Sequence, residues 1–412
     1  MSAPTSPCPQ PTARRPSYAA VLRVPQARRT FVAVLVARLS YGTVALSVLL
    51  SVTRATGSYA VSGAVMAVFG ASAVSLLPAR AALVDRHGPR RALLPMAVLH
   101  SLLLCALAAL TVRPGASPAS LALAAGLAGA CAPPLGPTMR TVWSELLDDR
   151  RLLQRAYSLD GVAEELLFVS GPALVGVLLR FTQPAAGLLL SAALMVTGTC
   201  AFVTSPVVGG RGRQKAAGPR HRSRGFPAGL RGPVVAAAGL GLALSGVELL
   251  VMAFAGQRSH DDAVVPWILG ALSAGSAVGG LLNGAVNWRR SAGARLPWLT
   301  AGLGVALALA GLAPGPWTLA AAMACAGVFV APTLTTAYLL AEETADEGAR
   351  TRAGAWVNAA VNAGTSAGSL AAGTLIGRLP LWGCFALAGA VAALTALCVA
   401  RPGPLTPLAR TP

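Results

Sequence analysis

The sequence is short of charge. Of its 412 residues only 11% are Asp, Glu, Lys or Arg, less than half the roughly 25% of a soluble domain. So little charge cannot cover a water-facing surface, and with 55% hydrophobic residues the chain reads as an integral membrane protein. Lysine is nearly missing: every basic residue but Lys215 is arginine. Lys215 follows Gln214, not a glycine, which excludes a Walker A loop and with it ATP-driven transport by this chain. Clustered cysteine is also absent. Cys8, Cys105, Cys131, Cys200, Cys325, Cys384 and Cys398 stand singly, with no CxxC pattern, so neither a disulfide framework nor a metal site is expected. No cofactor is implied. The one Gly-x-Ser-x-Gly match, Gly364 to Gly368, lies in a helical run of small residues and lacks the strand–turn–helix setting of a nucleophile elbow. The chain is not expected to be an enzyme. The net charge of +19 would suit a nucleic-acid partner, but the arginines are scattered between apolar runs and exclude that reading.

What the chain does have is long apolar runs. A spanning helix needs ~20 mostly apolar residues, and twelve such runs are found: 31–52, 58–79, 92–112, 119–143, 156–179, 183–205, 233–255, 263–286, 297–313, 317–341, 353–377 and 381–400. The polar, proline-rich start has no short apolar core of a cleavable signal, so the first run is expected to stay as helix 1. A basic, Gly/Pro-rich stretch at 207–232 divides the helices six and six. The expected organisation is a tail at 1–30, a bundle at 31–206, the linker at 207–232, a bundle at 233–400 and a tail at 401–412. Of the 33 basic residues, 26 fall in one set of alternating loops and 5 in the other. The positive-inside rule then places both termini and the linker in the cytoplasm. The Ala, Gly and Arg bias fits a GC-rich bacterial gene and the cytoplasmic (inner) membrane. A weak repeat aligns Pro134 with Pro332, Asp160 with Asn358 and Glu164 with Asn362, suggesting parallel repeats about an axis along the membrane normal.

Between helices 2 and 3 stands "ARAALVDRHGPRRALL". It resembles the signature loop of the major facilitator superfamily, Gly-x-Leu-x-Asp-Arg-x-Gly-Arg-Arg/Lys, through Leu83, Asp85, Arg86, Gly88 and Arg90. Ala81 replaces the family's first glycine, and Pro89 its first base, with Arg91 next in line to replace it. The resemblance implies an all-α fold of two six-helix bundles, and a gate in which Asp85, Arg86, Gly88 and Arg90 take part. Asp85 would sit against the N-terminal end of helix 11, where the macrodipole favours an anion. The corresponding loop of the second half keeps Gly280, Gly284, Arg289 and Arg290 but has Asn287 and no aspartate. In helix 5, Gly171, Pro172 and Gly176 are similar to the Gly-Pro-x-x-Gly-Gly motif of drug/proton antiporters. The resemblance favours an exporter over the plainer alternative, a kinked helix with a small-residue packing face.

Charges inside a bilayer are costly and usually face a water-filled cavity. Arg38 and Glu248 are therefore cavity candidates, with Asn358 and Asn362 on helix 11. Arg140 belongs either there or to the cytoplasmic gate, beside Glu145 or Asp85. His100 reads as a hydrogen-bonded packing residue. Asp160 lies one turn inside helix 5, within reach of water by snorkelling. Glu164 lies on the same face about 6 Å deeper, and Glu165 is turned ~100° away. At least one of the two glutamates is expected to face the cavity and bind a proton or cation. Taken together, the sequence reads as a monomeric secondary transporter in the lipid bilayer, with protons and a small-molecule substrate as partners. Export of a small, fairly apolar molecule comes first, import of a sugar or other metabolite second, and a non-transporting sensor or scaffold third.

The arginine asymmetry makes a direct prediction. A cysteine introduced by Gly218→Cys should resist membrane-impermeant maleimides in intact spheroplasts and react after permeabilisation. Labelling in intact spheroplasts would reverse the orientation.

Overall fold

The computed structural model describes residues 17–112, 115–209, 228–257, 264–375 and 378–400. Most of the linker expected at 207–232, the C-terminal tail at 401–412 and most of the N-terminal tail lie outside the described residues. The long helices are α1 (Ala27–Thr56), α2 (Tyr59–Ser75 and Leu77–His87), α3 (Pro89–Val112), α4 (Pro118–Cys131 and Leu135–Leu146), α5 (Arg150–Leu178) and α6 (Ala185–Val203). After the linker come α7 (Arg231–Ser245 and Val247–Gln257), α8 (Val264–Ala285), α9 (Ala292–Ala310), α10 (Pro316–Glu343), α11 (Arg350–Leu375) and α12 (Leu381–Ala400). A short helix, Tyr18–Arg23, precedes α1.

Among the described residues ten helices are long and apolar enough to cross a membrane, and the two pieces of α2, bent by 42°, make an eleventh. The remaining run of the sequence, 353–377, is α11, whose hydropathy is diluted by Asn358, Asn362, Thr365 and Ser366. Its neighbours are other helices: it packs on α7 within its own bundle and on α2 and α4 of the other. Several helices begin or end beyond the apolar runs. α2 runs on to His87 rather than 79, and α5 starts at Arg150 rather than 156, with Asp149 capping the Arg151 N–H at 2.8 Å. Helical hydrogen bonding continues past the hydrocarbon edge, and this extension carries Gln154 and Arg155 into the fold.

Pairing repeats between the halves. In the first, α1 packs on α5 and α6, α2 on α4, and α3 on α6; in the second, α7 packs on α11 and α12, α8 on α10, and α9 on α12. Between the bundles α5 lies against α8 and α10, and α11 against α2 and α4. The apolar packing differs along the molecule. At the end that bears the arginine-rich loops, here the basic end, one buried cluster runs through both bundles, joining Met139, Trp143 and Tyr157 to Tyr338, Leu339 and Val357. Toward the opposite end each bundle has its own cluster, around Leu104, Leu121 and Leu188 in the first and Leu250, Leu307 and Phe385 in the second. Among the described residues, the buried apolar packing that joins the two bundles lies at the basic end.

Small residues set the closest approaches. A Cβ on Gly171 would fall 2.4 Å from the backbone carbon of Gly42, and one on Gly42 would fall 2.4 Å from the Leu167 carbonyl. The α1–α5 crossing thus accounts for Gly171, while Gly176 has nothing within 4 Å of such a Cβ and Pro172 sits inside an uninterrupted helix. Packing explains the helix-5 glycine without an antiporter motif. The same holds for Gly364 and Gly368, which lie against the Ala238 and Leu242 carbonyls of α7.

Gly42→Val should therefore force α1 and α5 apart and destabilise the protein by ~1–3 kcal/mol. Thermal unfolding in detergent should show a lower midpoint than the parent, with Gly176→Val unchanged. Equal midpoints for Gly42→Val and the parent would mean that the crossing is not tight.

Candidate functional site

Four charged side chains meet at the centre of the first bundle. Arg38 of α1 reaches Asp160 at 2.6 Å and Glu164 at 2.8 Å; Arg140 of α4 reaches Asp160 at 3.1 Å and Glu164 at 2.7 Å. The 3.6-residue period makes this possible, because residues 160 and 164 stand one above the other on α5. Two guanidinium groups and two carboxylates form a closed, charge-neutral set. Asp160 is fully buried. The expectation that it snorkels to water is corrected here: α5 extends more than two turns beyond it toward the basic end, and both arginines cover it. Arg140 joins this set and not Glu145 or Asp85. Its guanidinium also lies 3.7 Å from the centre of the Tyr338 ring of α10, a cation–π contact across the two bundles. Removing one member of a buried set leaves an uncompensated charge, at a cost of about 3–5 kcal/mol.

Beside this set lies a cavity of about 370 Å³, lined from both bundles. Arg38, Arg140, Glu164 and Glu165 face it from the first; Tyr338, Asn358 and Asn362 face it from the second. Asn362 donates to the Asn358 side chain at 2.9 Å. The repeat alignment of Glu164 with Asn362 thus joins positions on the same cavity. Glu165 points elsewhere than Glu164: it accepts a hydrogen bond from Ser276 of α8 across the bundle interface, and its other oxygen is buried with no hydrogen-bond partner. Glu248 is not brought to this cavity. It stands exposed in the first turn after the Gly246 break of α7 and is not among the residues that line this cavity. His100 is buried, with its ring Nδ1 2.7 Å from the Ala128 carbonyl, a packing role.

The basic end is held shut by polar contacts. Asp85, near the end of α2, accepts the backbone N–H groups of Thr351 at 3.3 Å and Arg352 at 2.9 Å. These belong to the first turn of α11, whose N–H groups have no partner within the helix and whose dipole favours an anion. Gly88 takes a φ of +83°, open to glycine, and Pro89 begins α3, where its missing N–H costs nothing. Ala81 is buried, and Arg86 and Arg90 are exposed. Thr141 and Thr351 meet at 3.1 Å, and Arg150 pairs with Glu343.

On the other face of the seam, Gln154 donates to the Asn283 carbonyl and Arg155 to that of Ala285 at 3.3 Å. Tyr18 donates to Leu281. The 198-residue offset from Pro134 to Pro332 carries Asp85 onto Asn283. Asn283, rather than the exposed Asn287, is therefore the second-half counterpart at the seam. Gln154, Arg155 and Tyr18 were not singled out from the sequence. The polar residues at the start of α5 were the available signal, hidden because the apolar run begins later.

A sequence model described as the Major Facilitator Superfamily matches residues 30–318 and 250–411. Among curated proteins no sequence match is found. Among solved structures, a bacterial homologue of the iron transporter ferroportin in an outward-facing state is similar with a TM-score of 0.71 at 15% identity, over 90% of this chain and 96% of that one. The same homologue with soaked iron gives 0.71 at 16% identity, over the same shares. The human organic anion transporter MFSD10 (TETRAN) gives 0.68 at 16%, over 95% of this chain and 100% of that one.

Asp85→Asn keeps the size of the side chain and removes the charge that faces α11. A hydrogen bond to a charged group contributes ~1.5–3 kcal/mol, so the closed basic end should lose roughly ten- to a hundredfold in preference. Spin labels at His87 and Gly348 should show a longer-distance population in the variant. An unchanged distance distribution would mean that Asp85 does not hold the gate.

Proposed function

The chain belongs to the major facilitator superfamily, and on that premise we propose that it is a proton-coupled exporter of a small, fairly apolar molecule. The protein is a multi-pass membrane transporter by family; the proposal concerns what drives it, what it carries and which way. Transport in this reading alternates between the state described, closed at the basic end, and one closed at the other, as the bundles rock about the central cavity. The basic end lies in the cytoplasm, where the arginine excess puts it.

Glu165 carries the reading. An ionised carboxylate away from water is expensive unless paired, and among the described residues Glu165 has a neutral hydroxyl and no guanidinium against it. It can gain and lose a proton without breaking an ion pair. Glu164 cannot, since its charge is shared by Arg38 and Arg140. The coupling proton is therefore assigned to Glu165, and Glu164 to the structural set. The hydrogen bond to Ser276 joins α5 to α8, so a change of charge there acts on the contact that must part when the bundles rock.

The cavity also bears on the substrate. The guanidinium groups of Arg38 and Arg140 are already neutralised, and the donors of Arg80 are taken up by backbone carbonyls, which leaves little attraction for an organic anion of the kind named for MFSD10. Asp160 and Glu164 are likewise engaged, so the iron named for the ferroportin homologue is not carried over. Apolar side chains and the neutral amides of Asn358 and Asn362 remain, suited to a molecule with few charges.

In proteoliposomes with an imposed pH gradient and ethidium as probe, the parent should accumulate dye against its gradient. Glu165→Gln should abolish accumulation while leaving downhill dye exchange, now insensitive to pH. Glu164→Gln should mainly lower thermal stability. Should Glu165→Gln accumulate dye like the parent while Glu164→Gln folds and is uncoupled, the assignment of the proton is wrong.

A further inference from the structure

Arg80 belongs to the arginine-rich loop between helices 2 and 3 by sequence, yet it is buried and turned toward the cavity. Its donors go to backbone carbonyls. Nη1 donates to Gly129 at 2.8 Å and to Ala132, Nη2 to Ala73, and Nε to Leu76 at 3.4 Å. These four carbonyls have something in common. Ala73 and Leu76 end the first piece of α2, and Gly129 and Ala132 end the first piece of α4.

Both helices break here for reasons written in the sequence. Pro133 and Pro134 supply no N–H and hold Ala132 out of the helical region, and Ala132 has φ −58° and ψ 122°. Pro78 starts the second piece of α2 near its first turn, the favoured place for proline. A break leaves carbonyls without helical partners, and the helix dipole concentrates negative charge at the same end. In a membrane interior such carbonyls must be satisfied within the protein. Two such ends converge on one guanidinium, which adds to the backbone N–H groups that Leu76 accepts from Arg80 at 3.0 Å and Gly129 from Ala132 at 3.2 Å, and which supplies side-chain donors to Ala73 and Ala132.

The second bundle shows the contrast. The 198-residue offset carries Arg80 onto Val278, which is exposed. There α8 is unbroken, α10 runs straight through Pro332, and Gly279 packs on the Val328 backbone. No cation is needed where no helix is interrupted. Arg80 therefore answers to the two breaks rather than to a repeat of the gate loop.

We propose that Arg80 is a positioning residue acting as a tethered cation: its guanidinium occupies a carbonyl cage at the paired breaks of α2 and α4 and fixes the cavity wall those breaks form. The cage is a site for a planar, multiply donating monocation, filled from within the chain. When the side chain is shortened, the vacated cage should accept free guanidinium from solution.

Cys131, the last residue of the first piece of α4 and half-buried, reports on the break. In full-length protein with its other cysteines replaced by serine, the rate of Cys131 alkylation by N-ethylmaleimide in membranes is measured. Arg80→Ala should react about tenfold faster, as the unpaired helix ends open locally. Guanidinium chloride should slow it back toward the parent rate, and choline chloride at equal ionic strength should not. Arg80→Lys keeps the charge with fewer fixed donors and should react at an intermediate rate; it serves as the test if the alanine variant does not insert. A parent rate in whichever variant inserts, or an acceleration that guanidinium does not reverse or that choline reverses equally, overturns the proposal.

Discussion

Two carboxylates one turn apart on α5 hold two guanidinium groups, one from α1 and one from α4, at the centre of the first bundle. In a medium that cannot solvate charge, none of the four is tolerable alone, and together they form a neutral, hydrogen-bonded unit. That unit fixes the rotation of three helices about their axes. The rest follows from the fixed orientation: Glu164 is consumed by the set, Glu165 is turned to the α8 seam, and the Arg140 guanidinium is presented to Tyr338 in the opposite bundle. The α1–α5 crossing at Gly42 and Gly171 brings Arg38 close enough to take part.

Around this centre the two bundles are built alike but finished differently. The first has interrupted helices, buried charge and an aspartate at its end of the gate. The second has continuous α8 and α10 and neutral amides at Asn358, Asn362 and Asn283. The asymmetry has a physical logic. Charge change during a transport cycle is expensive inside a membrane, and gathering the charged groups of the central cavity in one bundle leaves the other to present neutral amides there, while its own buried charges, Arg295 and Glu342, lie away from that cavity. Two polar locks at the basic end, from Asp85 to the α11 amides and from Gln154 to the α8 carbonyl, lie at symmetry-related seams. They use a charge on one side and a neutral amide on the other. An anion against two helix-end N–H groups is held by both hydrogen bonding and the dipole, whereas an amide against a carbonyl is held by hydrogen bonding alone. The two seams should therefore part unequally.

The amino-acid sequence by itself determined the solvent, the number of helices and the division into halves. Low charge, twelve apolar runs and the arginine asymmetry are local or summed properties, which need no knowledge of what packs on what. It also marked Arg38, Asp160, Glu164 and Arg140 as costly in a membrane, and the Asp85 loop as a gate like that of its family. What tertiary structure decided was pairing. Whether Arg140 met Asp85 or Asp160, whether Glu248 reached the cavity and which glutamate stayed free all depend on helix rotation and on where α5 begins, set by contacts between different helices, some of them between residues more than a hundred positions apart. The same is true of Arg80, one more base of a loop when counted along the chain. Only the meeting of two helix ends, each broken by its own prolines, gives it a partner.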